Sequence, residues 1–318
     1  MSPRLRYAVR RLLITIPVLL AMSVFVFLLI RLVPGDPVRT MLGFRATDEN
    51  VATIRAQLGL DQPLVDQYLG WLGATLRLDL GQDFVSKVAI NELITERLPV
   101  TLELTSLAML LALAVGVPLG VLAATRRRNT GRATTALAIA GIAIPDFWLG
   151  IMLVLVIAGT FRWLPPSGWV PFLEDPVANL RYMILPVITL AFAEIAYILR
   201  TTRASMEETL GSPFVTFLKA KGVSDRSITY RHALRSAAVP IVTVVGIQVG
   251  VLIGGAIVVE VLFGLPGIGK MLVTAINQRN YPVVQAGILV VAFLFIVVNL
   301  ITDLLYGALD PRIAEADA

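Results

Sequence analysis

The 318-residue sequence contains no cysteine and one histidine, His232, and only 15% of it is charged. Without cysteine there is no disulfide, no thiolate nucleophile and no Cys-based metal site, and one histidine leaves no histidine triad or multi-His centre within the chain. No metal ligands and no catalytic set are therefore expected, and the compartment is not legible from cysteine usage. Low-complexity linkers and repeats of about 20 to 50 residues are also lacking, which points to one domain with a small elaboration.

What remains is strongly apolar. Hydrophobic residues make up 57% of the chain and its mean hydropathy is +0.80, well above an ordinary globular domain. A span needs about 20 apolar residues, since a helix rises about 1.5 Å per residue and the hydrocarbon core is about 30 Å thick. Six runs qualify: Leu12–Ile30, Leu104–Thr125, Ala133–Phe161 interrupted by Asp146, Tyr182–Leu199 interrupted by Glu194, Ser236–Val259 and Asn280–Thr302. Lipid cannot satisfy backbone polar groups, and runs this long without alternation are helices rather than barrel strands. The expectation is an all-α polytopic membrane protein with six transmembrane helices. Four arginines precede the first run, as in a secretory signal, but its length, the lack of a small-residue cleavage site and the five later spans make it an uncleaved anchor.

Arginine and lysine set the expected orientation. With the N-terminus inside, the inner segments hold Arg4, Arg6, Arg10, Arg11, Arg126–Arg128, Arg132, seven basic residues between Arg200 and Arg235, and Arg312, which is 16 of the 27 positive charges. Six others fall in the long segment 33–98, where charge weighs less on topology. Both termini, the Arg126–Arg132 turn and the 200–236 insert are therefore expected in the cytoplasm. The net charge of +5 then follows from topology rather than from nucleic-acid binding.

Between Arg200 and Pro240 a charged, helix-forming stretch separates two apolar runs. Ser205 with Glu208 makes a capping box, and Ser212 followed by Pro213 reads as N-cap and first helical residue. Gly222 ends a helix and Ser224 and Asp225 start the next, giving helix, tight turn, helix over 210–235. Phe214, Phe217, Leu218 and Lys221 recur at helical spacing, so apolar and basic groups share a side suited to a protein groove.

Segment 33–98 carries its own punctuation. Thr47, Asp48 and Glu49 start a helix with Val51, Ile54 and Leu58 on one face and Gly59 as its stop; Asp61 and Pro63 open another with Leu64, Tyr68, Trp71 and Leu72; a third spans Val88–Leu98. A docking or gating cap and a plain lid packed on the spans both fit this pattern. Further on, GLPGIGK at Gly264–Lys270 matches the glycine and lysine positions of a phosphate loop. Met271 stands where a Ser or Thr must hold Mg²⁺, and a membrane span precedes the motif, so glycine and proline shaping a re-entrant or interfacial turn is the better reading. The chain has no visible energy source of its own.

The stretch FVTFLKAKGVSDRSITYRHALRSAAVP at Phe214–Pro240 resembles the cytoplasmic coupling loop of ABC importer permeases, specifically the B-type subunit of the dipeptide, oligopeptide and nickel branch. LVPGDP at Leu32–Pro37, LGLDQPLVDQYLGWL at Leu58–Leu72, ERLPVTLEL at Glu96–Leu104, IPDFWLG at Ile144–Gly150, VVEVLFGLPGIGKMLVTAINQRNYPVVQ at Val258–Gln285 and DLLYGALDPRI at Asp303–Ile313 agree in the same order. Two departures narrow the branch: Thr216, Phe217 and Leu218 replace the Glu-Ala-Ala of the general permease loop, and its Leu-Pro is replaced by Leu234-Arg235, with the proline delayed to Pro240. They leave no glutamate to which that loop's contact could be assigned.

The resemblance implies a type I ABC importer permease fold with cytoplasmic coupling helices, in a bacterial inner membrane. It also implies a second homologous permease, two cytosolic ATPase subunits that hold ATP and Mg²⁺, an extracytoplasmic solute-binding protein, and no cofactor in this chain. The chain then divides into a cytoplasmic N-terminus with the first span (1–32), an extracytoplasmic helical elaboration (33–98), a core of five spans with the coupling loop (99–307) and a cytoplasmic tail (308–318). Phe217, Ala220, Lys221, Gly222, Ser224 and Asp225 are the expected contact with the ATPase.

Three acids lie within spans: Asp146, Glu194 and Glu260. A buried acid costs about 2.5 to 3.5 kcal/mol at a span's centre, so such residues face protein or water. They either line a pathway that receives a peptide amine or another cation, or pair with a neighbouring helix, with Arg200 or with Arg181. Asp303 and Asp310 fit topology and packing. Short peptides are the default solute, with nickel, glutathione or another small solute as alternatives. An ion-coupled secondary transporter would also need spans and buried acids, and a scaffold subunit would need the insert but no path.

Overall fold

The computed structural model describes residues 3–32, 38–39, 46–57, 59–125, 136 and 140–309. The LVPGDP block beyond Leu32, Leu58, the Arg126–Arg132 turn and residues 310–318, with Asp310 and Arg312, lie outside them. Among the described residues the main helices are, in chain order, α1 Pro3–Leu32, α2 Asp48–Gln57, α3 Leu64–Leu76, α4 Ile90–Thr125, α5 Asp146–Leu153, α6 Pro176–Leu210, α7 Pro213–Ala220, α8 Asp225–Phe263, α9 Ile268–Asn277 and α10 Tyr281–Leu309. Among the described residues the only β-pairing is a single bridge between Gln82 and Ala89.

Among the described residues five helices are long and apolar enough to cross a membrane: α1, α4, α6, α8 and α10. The third expected span has a different form. Its helix breaks at Pro145, which is extended with ψ 136°, and restarts as α5, which continues as a π-helix from Val154 to Thr160. Proline has no N–H and pushes its predecessor out of the helical region, so the break is local chemistry. Asp146 therefore stands on the first turn of a helix rather than mid-span, where the helix dipole favours a carboxylate.

Two further expectations are corrected. Val88–Leu98 is not a separate helix: α4 begins at Ile90 and runs through Pro99 into the second span without a stop. Ser205 and Glu208 form no capping box, because α6 continues through both to Leu210. In each case a local signal is overridden by packing along the whole helix.

Small residues set the closest crossings. Helices α4 and α6 run parallel, with Gly116 against Ile195 and Ile198 and Gly120 against Leu199 and Thr202; a Cβ on Gly120 would sit 2.6 Å from that of Thr202. Gly246 and Gly250 of α8 likewise admit Thr302 and Phe295 of α10. In lipid, such approach of backbones is a main source of helix association. Leu104, Met183, Leu190, Ile198, Leu252 and Phe263 form the central core, and Ile90, Ile94, Met271, Leu272 and Val283 a second one beneath α9.

α1 packs on α10 and keeps most of its apolar side chains exposed, as a lipid-facing helix does. Arg11 of α1 and Asp303 of α10 pair at 3.1 Å, which gives Asp303 a packing role at this end of the bundle. At the other end of α1, Phe27 meets Tyr68 of α3 edge-on at 5.3 Å, and the Tyr68 hydroxyl lies 2.8 Å from that of Ser23. Thr47 starts α2 by accepting from the Asn50 N–H, and Gly59 beyond its end has φ +64°.

Candidate coupling elbow and intramembrane acids

The elbow between α6 and α8 is built from the punctuation of its sequence. Ser212 is the N-cap residue of α7 and Pro213 its first residue; the Ser212 hydroxyl donates backward to Thr209 O at 2.6 Å instead of capping forward. After α7, Gly222 adopts φ +78°, its N–H donates to Lys219 O at 2.9 Å, and the Val223 N–H donates to Leu218 O at 3.1 Å. An L-residue with a side chain pays a steric penalty in that left-handed conformation, whereas glycine does not. Ser224 then caps α8 by accepting from the Ser227 N–H.

Val215 and Leu218 bury one stripe of α7 against Ile228, with Leu210 and Val223 beside them. Sequence spacing had placed Leu218 with the aromatic and basic groups, but it points inward. Phe214, Phe217, Lys219, Ala220, Lys221, Gly222, Ser224 and Asp225 are exposed. The Phe217 ring is 54% exposed and the Lys221 ammonium lies 4.6 Å over its centroid, a contact that holds cation and ring as one unit. Lys219 and Asp225 pair at 3.6 Å across the turn. Phe214 meets His232 edge-on at 6.1 Å, so the lone histidine belongs to the elbow's root. The six residues singled out in sequence thus share one surface, clamped to two spans by three buried aliphatics.

The intramembrane acids fall into two groups. Glu194 of α6 is 3% exposed and accepts from Gln248 Nε2 of α8 at 2.7 Å; its partner is neither Arg200 nor Arg181. Asp146 is half-buried, lies within coulombic reach of Glu194, and has Oδ2 3.9 Å from where a Cβ on Gly255 would stand. These two carboxylates from α5 and α6 therefore converge beside α8.

Glu260 is fully enclosed and does other work. Thr101 Oγ1 donates to its Oε1 at 2.6 Å and the Lys270 N–H to its Oε2 at 3.0 Å, while Thr101 Oγ1 also accepts from the Ile268 N–H at 2.9 Å. Lys270 Nζ donates to Gly264 O at 3.0 Å, and Gly264 ends α8 at φ +69°. The GLPGIGK turn is therefore folded around a carboxylate of its own chain, and Lys270 holds a carbonyl. Glu260 has no open face toward a path in this structure. Thr101 and Gln248, the partners that decide these roles, were not singled out in sequence; a polar residue opposite an acid on another span was the available signal.

Residues 116–315 match the family described as binding-protein-dependent transport system inner membrane component, and residues 4–105 match the N-terminal region of that membrane component. The chain belongs to that family. The permease is 39% identical to the dipeptide transport system permease protein DppB of Escherichia coli (strain K12), over 97% of this chain and 98% of that one. It is 42% identical, over 94% of this chain and 95% of the other, to a Brucella abortus (strain 2308) protein provisionally named a peptide transport system permease protein. Among solved structures, a chain of the MetNI methionine ABC transporter in an inward-facing conformation superposes with a TM-score of 0.58 at 16% identity, covering 69% of the permease and 96% of that chain. At that identity the likeness concerns the fold alone. The permease is thus a multi-pass inner-membrane subunit of an ABC importer, a type that works with another permease, ATPase and a binding protein, and it is not itself an enzyme.

Proposed function

We propose that this permease forms half of the translocation pathway of an importer for short peptides, and that α7 is the lever through which ATP-driven motion enters it. The observation that carries the reading is the exposed Phe217–Lys221 tip on a helix whose other face is clamped to α6 and α8. A partner that moves α7 moves both spans, because Val215, Leu218 and Ile228 leave no slack between them. Phe217, Ala220, Lys221, Gly222, Ser224 and Asp225 make the contact in this reading. ATP and Mg²⁺ reside in two partner ATPase subunits, this chain holds no cofactor, and a second homologous permease completes the path.

The charge distribution supports α7 and both termini in the cytoplasm, with residues 33–98 outside. There the segment packs through α3 on the outer end of α1. Asp146 and Glu194 are the pathway's acids and receive the ammonium of a passing peptide; Glu260 is left to the turn. In the test, the permease is reconstituted in liposomes with its ATPase, second permease and binding protein. Dipeptide-stimulated ATP hydrolysis and uptake are expected, and both fall in D146N or E194Q for peptides with a free N-terminus more than for N-acetylated ones. Uptake driven by an ion gradient with no ATPase present refutes the reading.

A further inference from the structure

At the end of the bundle opposite α7, the π-helical end of α5 and the first turns of α6 form an open cavity of about 440 Å³ lined by Arg162, Arg181, Tyr182, Leu164, Pro165 and Pro166, with Ala158 and Ala178. No carboxylate lines it. The nearest acids along the chain are Glu174 and Asp175, and Asp175 is engaged in capping α6, accepting from the Val177 and Ala178 N–H groups at 3.0 and 2.9 Å. Among the described residues neither Arg162 nor Arg181 has an ion-pair partner. Arg162 has φ +55°, a left-handed conformation uncommon for a residue with a side chain.

The rim of this cavity is as informative as its floor. Phe161 and Trp163, on either side of Arg162 in the chain, stack at 4.8 Å and are 52% and 66% exposed; Val177 and Leu180, next to Ala178 and Arg181 on α6, are exposed as well. Aromatic and aliphatic side chains at the end of a membrane-spanning segment occupy the headgroup and upper acyl region, where an apolar body and a polar tip are both satisfied. Two guanidinium groups at that depth match phosphate oxygens through forked N–H donors.

We propose that this cavity is a binding site for an anionic phospholipid, its phosphodiester held by Arg162 and Arg181 with Tyr182 beside them and its acyl chains lying on the exposed Phe161 and Trp163. The surrounding apolar rim favours a lipid over a free anion. The site requires only that this end of the bundle lie at the membrane interface, and it is independent of which solute the importer carries.

The test uses the full-length permease purified from membranes containing phosphatidylglycerol and phosphatidylcholine, with retained lipid counted by native mass spectrometry and affinity measured by titrating phosphatidylglycerol into delipidated protein. The R162Q/R181Q double variant is expected to bind phosphatidylglycerol about tenfold to thirtyfold more weakly, while R235Q, at the opposite end of the chain's fold, retains wild-type binding. The R162K/R181K pair, still cationic but without the forked donors, is expected to bind with an affinity between those of wild type and the glutamine pair, and a wild-type melting temperature for R162Q/R181Q shows that its loss of binding is not a folding defect. Equal phosphatidylglycerol affinity in wild type and double variant overturns the site. Saturable binding of inorganic phosphate that the double variant abolishes, with no lipid retained by wild type, overturns the lipid assignment in favour of a free anion.

Discussion

Helix α8 begins at one helix–turn–helix and ends at another, and the two are held by opposite means. At its start, the α7 elbow is fixed by Val215, Leu218 and Ile228, and its aromatic and charged groups stay exposed. At its end, the Gly264–Lys270 turn is fixed by the Glu260 carboxylate, whose oxygens are occupied by Thr101 and by the Lys270 N–H. Apolar clamping leaves a surface free to meet a partner; polar stapling uses up the groups that could meet one. The same 39-residue helix thus carries an exposed end, the docking end in the proposed reading, and an anchored end.

The largest effect that sharpens this contrast is expected from E260A. It leaves the Thr101 hydroxyl and the Lys270 N–H without an acceptor in a closed site, and at about 1 to 3 kcal/mol for each orphaned group the permease loses several degrees of thermal stability in detergent and much of its membrane yield. Wild-type stability for E260A would break the distinction between the two ends. G267A should follow the same course, since its Cβ would lie 2.3 Å from the Glu260 carboxyl carbon.

At the elbow the readouts separate. G222V forces a β-branched residue to φ +78°, costs about 1 to 2 kcal/mol, and is expected to abolish uptake while ATP hydrolysis continues and membrane levels remain near wild type. F217A removes an exposed ring, so stability should change by less than about 0.5 kcal/mol; co-purification of the ATPase should weaken by about thirtyfold, as for an aromatic anchor. Undiminished co-purification would mean that Phe217 is not part of the contact.

The smallest effect lies in the loop before α4. Partial burial raises the Asp83 carboxyl, but bonds from the Ser86 hydroxyl, the Val85 N–H and Asn280 together outweigh it and hold the group below its ordinary value of 3.8. A depressed carboxyl contributes stability that is present above its unfolded value and lost as pH falls through the folded one. The wild-type melting temperature should therefore drop more steeply below about pH 4 than that of D83N, with the two curves running parallel near neutrality.

Much of the elbow was legible beforehand because its cues are local. Pro213, Gly222 and Ser224 act on their own backbone, and the structure places the helix ends where those residues put them. The Ser205 and Glu208 cue failed for the complementary reason, since α6 is carried through it by packing of Met206 into the core. Leu218 was assigned to the wrong face because spacing alone does not say which of two adjacent stripes is covered. The division among the acids was not legible at all. Glu194 and Glu260 look alike in sequence, and only the helices opposite them, which supply Gln248 and Thr101, tell them apart.

The sequence by itself determined the number and length of the apolar runs, the skew of its positive charge and the turn chemistry of the elbow, because each depends on hydropathy or backbone preference within a few residues. Tertiary structure alone decided that Glu260 staples a turn while Asp146 and Glu194 converge, and that Arg162 and Arg181 share a cavity. Those outcomes require side chains far apart in the chain to meet, and what they meet is set by how the helices cross.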